Sequence, residues 1–554
     1  MNKKVCSFPI LFALFALLIG TCAVVIPASA QAAPTSTGSI TVSGTVASSY
    51  DAYQIFSANV VDGDSDAKIA TDLAWASDAA RDAVLPVLHS AGMPKSQTTA
   101  QEAAEWLNTD SHLTSALSAQ LARSLQNSGA ELAALNAGTE AKLPCGYWLI
   151  VADDDAIAQG EAGTAPIMAL VGGSAVTVKP KAATPKVAKH VLEDGTAAWQ
   201  KAADATVADD LYWRLSATVP AGLTAYDAYA VQFVDTMSAG LDPSRVAASM
   251  RVYVAAGADG GFGAVSAGKD GRAGTEPAKG WTDITAQCRV SADGKTFTVR
   301  TGDLIAALGG ADAFTAGARV VAVYNAPLNS ACNHGIAKGN PNEVYLRYPR
   351  SPFADQSGDA GFTRTPSDDA CAYTWDLALT KRGSDGDKPL AGAVLSIADD
   401  RGRTLAADGT WDAEGKATVT TGEDGRVTVS GVDSGKLEVR ELKAPKGYTA
   451  FKGTRSVTVK AEGLDVDQVA AAKPKLTITA ESPLRADSAD GSTGSLEASL
   501  INTPTGTPPS ITTGGFMPST GDMAMYAAAA AAVAGAALIV VALLVKRGGG
   551  SLTE

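Results

Sequence analysis

The sequence predicts a mainly β chain in which tandem antiparallel sandwiches follow an N-terminal α+β domain, with a signal peptide at one end and a transmembrane helix at the other. Short alternating runs separated by Asp-Gly, Gly-Gly and Ser-Gly turns fill Pro185 to Tyr348 and again Tyr373 to Asn502, the pattern of antiparallel sandwiches. Ahead of them Leu113, Leu117, Leu121 and Leu125 form an i, i+4 stripe, which is helical spacing. Two long apolar segments lie near the chain's ends.

The first of these follows Lys3 and Lys4, runs from Phe8 to Ile19 and leads to Ala28-Ser29-Ala30. That is the tripartite layout of a secretory signal peptide, residues 1–30, with the mature chain starting near Gln31. Residues 31–182 are expected to form the α+β domain. In it Thr41 to Val46 alternates as a strand, Thr99 and Glu102 read as a capping box ahead of Trp106, and strands return at 146–151 and 175–178. A β-sandwich over 183–352 follows, then a linker over 353–370 drawn from the Pro-, Gly-, Ser- and Asp-rich stretch Pro349 to Ser367. A second sandwich spans 371–504, and 505–522 is a Pro/Gly/Thr spacer. Residues 523–545 are apolar and long enough to cross a bilayer, and the tail 546–554 opens with Lys546 and Arg547, which keep it cytoplasmic.

The formal charge of −13, with no basic stripe, argues against nucleic acid and for a solvated extracellular surface. Cys145, Cys288, Cys332 and Cys371 survive signal removal, at spacings that specify no pairing. Asp62, Asp64 and Asp66 lack the glycine and glutamate that complete a calcium loop. Among His89, His112, His190 and His334 there is no metal-binding or catalytic spacing, and no nucleophile elbow occurs. The expectation is therefore no metal, no cofactor and no turnover enzyme.

Between spacer and apolar segment stands Met517-Pro518-Ser519-Thr520-Gly521. It resembles the LPxTG cell-wall sorting signal, with methionine replacing a leucine of similar volume. The resemblance implies that a sortase cysteine attacks the Thr520 carbonyl, releases Gly521 onward and passes the acyl group to an amine.

In the second sandwich KPLAGAVLSI, the run ending ELKAPKGYT, and LEASLINTP together resemble the Cna-B domain of Gram-positive pilins, an immunoglobulin-like sandwich. The resemblance implies an autocatalytic isopeptide bond between Lys381 and Asn502, promoted by Glu441. Phase can be tested without the family, because side chains two apart in a strand share a face. Lys381 lies in phase with Leu377 and Leu379, Glu441 with Leu437 and Val439, and Asn502 with Leu496, Ala498 and Leu500. Each polar residue thus falls in an apolar, core-facing row, where an unpaired charge is costly. Burial disfavours the charged form of amine and acid alike, so neutral amine meets neutral acid. A plain buried ion pair beside a hydrogen-bonded asparagine is the competing reading.

The first sandwich repeats the logic. The runs 185–191, 233–241 and 339–346 resemble the fimbrial isopeptide-forming domain of pilin shafts, which implies Lys189 as nucleophile, Asp235 as acid and Asn342 as acceptor. Lys186, the competitor for Lys189, falls on the opposite face. Ahead of it, Val176-Thr177-Val178-Lys179-Pro180-Lys181-Ala182 resembles the pilin motif and implies Lys181 as the polymerising lysine. It departs from that motif where Lys179 replaces a tyrosine and Ala182 an asparagine.

Together these resemblances imply a shaft pilin whose partners are a class C-type pilus sortase, a housekeeping sortase, copies of itself, peptidoglycan, minor pilins and host ligands. The alternative is a wall-anchored adhesin or minor pilin that uses the same domains as a stalk.

Overall fold

The computed structural model describes residues 36–64, 67–109, 112–163, 165–180, 184–221, 223–257, 266–267, 273–274 and 280–506. The expected signal peptide, Lys181, the 517–521 motif and the 523–545 segment lie outside the described residues. Among the described residues no helix is long and apolar enough to cross a membrane.

In the N-terminal domain the strand Gly146–Ala152 is buried on both faces, which explains its unbroken apolar run. Leu149 and Val151 pack under the helices Asp78–Ser90, Ala100–Asn108 and Ser115–Gln126, while Trp148 and Ile150 face the other way. That second face meets a three-stranded sheet of Glu140–Pro144, Thr37–Val42 and Val176–Val178. The capping box forms as the sequence predicts, Thr99 and Glu102 each bonding the other's end of the first turn. Leu117, Leu121 and Leu125 are buried on the third helix, and Leu113 lies just ahead of it. Asp62, weighed as a cation ligand, instead accepts from Ser174 N and Oγ and pairs with Lys68.

The middle domain is a sandwich. One sheet runs in the order Ala198–Gln200, Val187–Glu193, Tyr212–Thr218, Arg319–Asn325, Arg251–Ala255, Trp281–Asp283. The facing sheet runs Ala202–Asp204, Asp368–Tyr373, Asn340–Pro349, Gln232–Met237, Thr296–Arg300, Arg289–Asp293. The 353–370 linker is corrected here. Phe362–Arg364 and Asp368–Tyr373 both pair with Asn340–Pro349 and belong to the middle domain. Composition hid them, because the Pro, Gly, Ser and Asp residues before them read as a linker, while Ala370, Cys371, Ala372 and Tyr373 are all buried. Asp368 accepts from the backbone N of Lys189 at 2.7 Å and pairs with the buried Lys201 ammonium, which also donates to the Lys189 carbonyl at 2.8 Å and the Asp369 carbonyl at 3.1 Å.

The last domain, beginning at Trp375, is a second sandwich. Trp375–Gly383 lies between Arg426–Val432 and Ser495–Pro504, the latter parallel to it, so the first and last strands of the domain are neighbours. The other sheet is built on Val394–Ala398, Gly435–Lys443, Thr454–Glu462 and Lys475–Ala480.

The two sandwiches meet through Asp204. Its carboxylate accepts from Trp375 Nε1 at 2.6 Å, Ser434 N at 3.0 Å and Ser434 Oγ at 2.6 Å, with Asp204 and Trp375 both buried. Removing a buried acceptor leaves its donors unsatisfied. Asp204→Ala should therefore destabilise the last domain by about 2–3 kcal/mol, read as an earlier thermal unfolding step. An unmoved transition would mean that the junction contributes no stability.

Candidate functional site

Two clusters of buried polar side chains stand out, one in each sandwich. In the last domain Lys381 follows Trp375, Leu377 and Leu379 along the inward face of its strand. On the neighbouring parallel strand Leu496, Ala498, Leu500 and Asn502 face the same core. Glu441 enters from the opposite sheet behind Leu437 and Val439. The strand period of two thus brings one amine, one acid and one carboxamide to a single point between the sheets.

There the Lys381 ammonium donates to Asn502 Oδ1 and lies 3.1 Å from Glu441 Oε1. Asn502 Nδ2 donates to the same Glu441 oxygen at 2.9 Å. The other carboxylate oxygen accepts from Phe451 N at 3.0 Å, which fixes the acid's orientation. The Lys381 and Glu441 side chains have no solvent exposure. Burial pushes the Lys381 amine down to about 8, against the opposing pull of the Glu441 charge.

In the middle domain Lys189 projects from one sheet and Asp235 and Asn342 from the other, and all three have no exposure. Lys186, by contrast, is exposed. The Lys189 ammonium donates to Asp235 Oδ2 and, at 2.9 Å, to Tyr324 OH. Tyr324 OH donates to the same Asp235 oxygen at 3.0 Å and accepts from Asn342 Nδ2 at 2.8 Å. Asp235 Oδ1 and Asn342 Oδ1 are buried without a partner. Burial lowers Lys189 to about 8, resisted by the Asp235 charge, and raises Asp235.

Asn342 does not lie on the domain's last strand, since Asp368–Tyr373 follows and pairs beside it. Sequence reasoning also missed Tyr324. It sits at the end of the run VVAVY, in which every residue is buried, so no alternation marks its face. Lys179 is exposed beyond the strand Val176–Val178, on the described flank of Lys181. Among the described residues no group of side chains could hold a metal ion.

The four cysteines among the described residues are unpaired. Burial pushes Cys288, Cys332 and Cys371 up to about 11, which keeps their thiols protonated.

Residues 376–473, the span that contains Lys381 and Glu441, match the family described as SpaA: Prealbumin-like fold domain. Over 143 residues the chain is 30% identical to the trypsin-resistant surface T6 protein of Streptococcus pyogenes serotype M6, covering 24% of this chain. The chain thereby spans 24% of that relative's length. Among solved structures, the T6 backbone pilin of the same serotype is 17% identical, with 85% of this chain and 98% of that chain covered at a TM-score of 0.45. The full-length major pilin SpaD of Corynebacterium diphtheriae is 15% identical over 85% of this chain and 98% of that chain, at a TM-score of 0.41. The resemblance drawn from the sequence for the last sandwich is thus met, over residues 376–473, by a match to the SpaA prealbumin-like fold domain.

Proposed function

We propose that this chain is a structural shaft pilin, joined to copies of itself by a sortase and hardened by two internal Lys–Asn isopeptide bonds. The observation that carries the reading is the pair of buried lysine, acid and asparagine clusters, each spanning strands that only the fold brings together. A buried ion pair of this kind is poor evidence for stability, because desolvation offsets most of the attraction. A reaction that removes the charge on the lysine relieves that cost.

With an amine pKa near 8, about a tenth of Lys381 is neutral at pH 7. The neutral amine attacks Asn502 Cγ while Glu441, in contact with both groups, takes a proton from the amine and returns one to Nδ2. The Cγ–Nδ2 bond breaks and ammonia leaves, so the product is an amide with no buried charge on the lysine. Lys189, Asp235 and Asn342 would do the same in the middle domain. Between subunits, Lys181 would take the acyl group released at Thr520 by a pilus sortase, and a housekeeping sortase would attach the finished polymer to peptidoglycan.

Lys381 and Asn502 are 121 residues apart, and closing a loop of that size contributes about 5 kcal/mol in the chain-entropy model. The mature wild-type chain should be two ammonias lighter than its sequence mass by intact mass spectrometry. Lys381→Ala and Lys189→Ala should each restore one, and the first should lower stability by about 5 kcal/mol. An unshifted wild-type mass would overturn the reading of both clusters.

Polymerisation is tested separately, on cell-wall extracts boiled in SDS and blotted for this chain. A high-mass ladder that collapses to one band with Lys181→Ala is the expected result. A ladder that survives the substitution moves the nucleophile to another lysine, with Lys179 next. A single band for the native chain favours the monomeric wall-anchored adhesin instead.

A further inference from the structure

The two clusters differ in how the acid reaches the asparagine. In the last domain Glu441 touches both reacting groups with one oxygen, lying 3.1 Å from the Lys381 amine and accepting from Asn502 Nδ2 at 2.9 Å. In the middle domain the acid is Asp235, one methylene shorter. The Asn342 amide nitrogen, which must depart, donates to Tyr324 OH at 2.8 Å. We propose that Tyr324 is a catalytic residue of the middle-domain bond, relaying a proton from Asp235 to the departing Asn342 nitrogen. This deepens the isopeptide reading of the Lys189 cluster and rests on it.

The phenol's capacity matches that task. A tyrosine hydroxyl offers one donor and two acceptor positions. Here it donates to Asp235 Oδ2 at 3.0 Å and accepts from Lys189 Nζ at 2.9 Å and Asn342 Nδ2 at 2.8 Å. A core tyrosine that only needed its hydroxyl satisfied could use a backbone carbonyl, as the buried Tyr348 does at Gly160. Tyr324 instead spends all three positions on the reacting set. Its ring is fixed edge-on to Phe297 at 4.9 Å, and its phenol is held neutral by burial beside Asp235, so it keeps a proton to give.

The steps balance. Lys189 attacks Asn342 Cγ as the neutral amine, its ammonium proton already released to solvent and Asp235 standing as the carboxylate; the Nζ–Cγ bond forms and the carbonyl electron pair moves to Oδ1. The amine's proton passes to Asp235 Oδ2. Tyr324 OH then protonates Nδ2 while recovering a proton from Asp235. The Oδ1 electron pair collapses back, the Cγ–Nδ2 bond breaks and ammonia leaves. Asp235 and Tyr324 finish as they began.

The test is the full chain made by cell-free translation, sampled over time and digested with trypsin. The cross-linked peptides containing Lys189–Asn342 and Lys381–Asn502 are then quantified by mass spectrometry. In Tyr324→Phe the ring contact with Phe297 is kept and the hydroxyl is lost. The Lys189–Asn342 peptide should form about 100-fold more slowly, the low end of what general acid–base catalysis contributes, while the Lys381–Asn502 peptide forms at the wild-type rate. Equal rates for the Lys189–Asn342 peptide in variant and wild type would overturn the role of Tyr324 and leave the bond standing. Absence of that peptide from the wild type would overturn the bond itself, and the relay with it. A ring-fluorinated tyrosine at position 324 keeps the shape and acidifies the phenol, so it separates chemistry from folding. It should displace the pH–rate profile of the middle-domain bond alone, and a profile superimposable on the wild type would count against the relay.

Discussion

A lysine ammonium with no solvent around it is the constraint on which both sandwiches turn. Removing such a group from water costs several kcal/mol even after a carboxylate is placed beside it. Lys189 and Lys381 each have a carboxylate and a further hydrogen-bonding side chain against the buried amine. That cost explains why each acid stands on a sheet opposite its lysine, why the Glu441 carboxylate is also held by Phe451 N, and why large rings wall in the middle cluster. The Lys189 amine lies 5.4 Å from the centroids of both Trp213 and Tyr324. The apolar rows on either side supply burial, and burial supplies the lowered amine pKa. Packing and chemistry here are one arrangement.

Much of this was legible in the sequence because β-structure writes its faces with a period of two. Lys381, Glu441 and Asn502 each continue an apolar row, and a polar residue in such a row must be buried with a partner. The same arithmetic placed Lys189 and set Lys186 aside. It could not find Tyr324, because the run 320–324, buried throughout, shows no phase from which a face could be read. Nor could it find the strand Asp368–Tyr373. That strand is set by backbone pairing with Asn340–Pro349 and Ala202–Asp204, and by the Lys201 ammonium and Lys189 backbone amide converging on Asp368, contacts between residues far apart in sequence. The helix Asp78–Ser90, with Pro86 inside it, and the long strand Ser49–Asp62 were likewise not distinguished within the α+β domain.

The corrected boundary changes how the two sandwiches are joined. Asp368–Tyr373 ends one and Trp375–Gly383 begins the next, with only the fully buried Thr374 between them. Asp204, from the middle domain, reaches across to Trp375 and Ser434, and the salt links of Arg401 and Arg403 to Asp209 cross the same seam. The junction therefore has little slack. At the other end of the middle domain, Arg123 bonds the Ala225 carbonyl and Gly163 N bonds the Arg350 carbonyl, so the helical domain is tied to the same sandwich.

The unpaired cysteines carry a consequence about redox chemistry. Many exported proteins are stapled with sulfur, which requires an oxidant to form and yields to a reductant. In this chain the four described thiols are unpaired, and burial keeps three of them protonated and poorly reactive. The proposed amides form by loss of ammonia, with no change in oxidation state. Amide cross-links of that kind would hold equally well in aerated and in reducing surroundings.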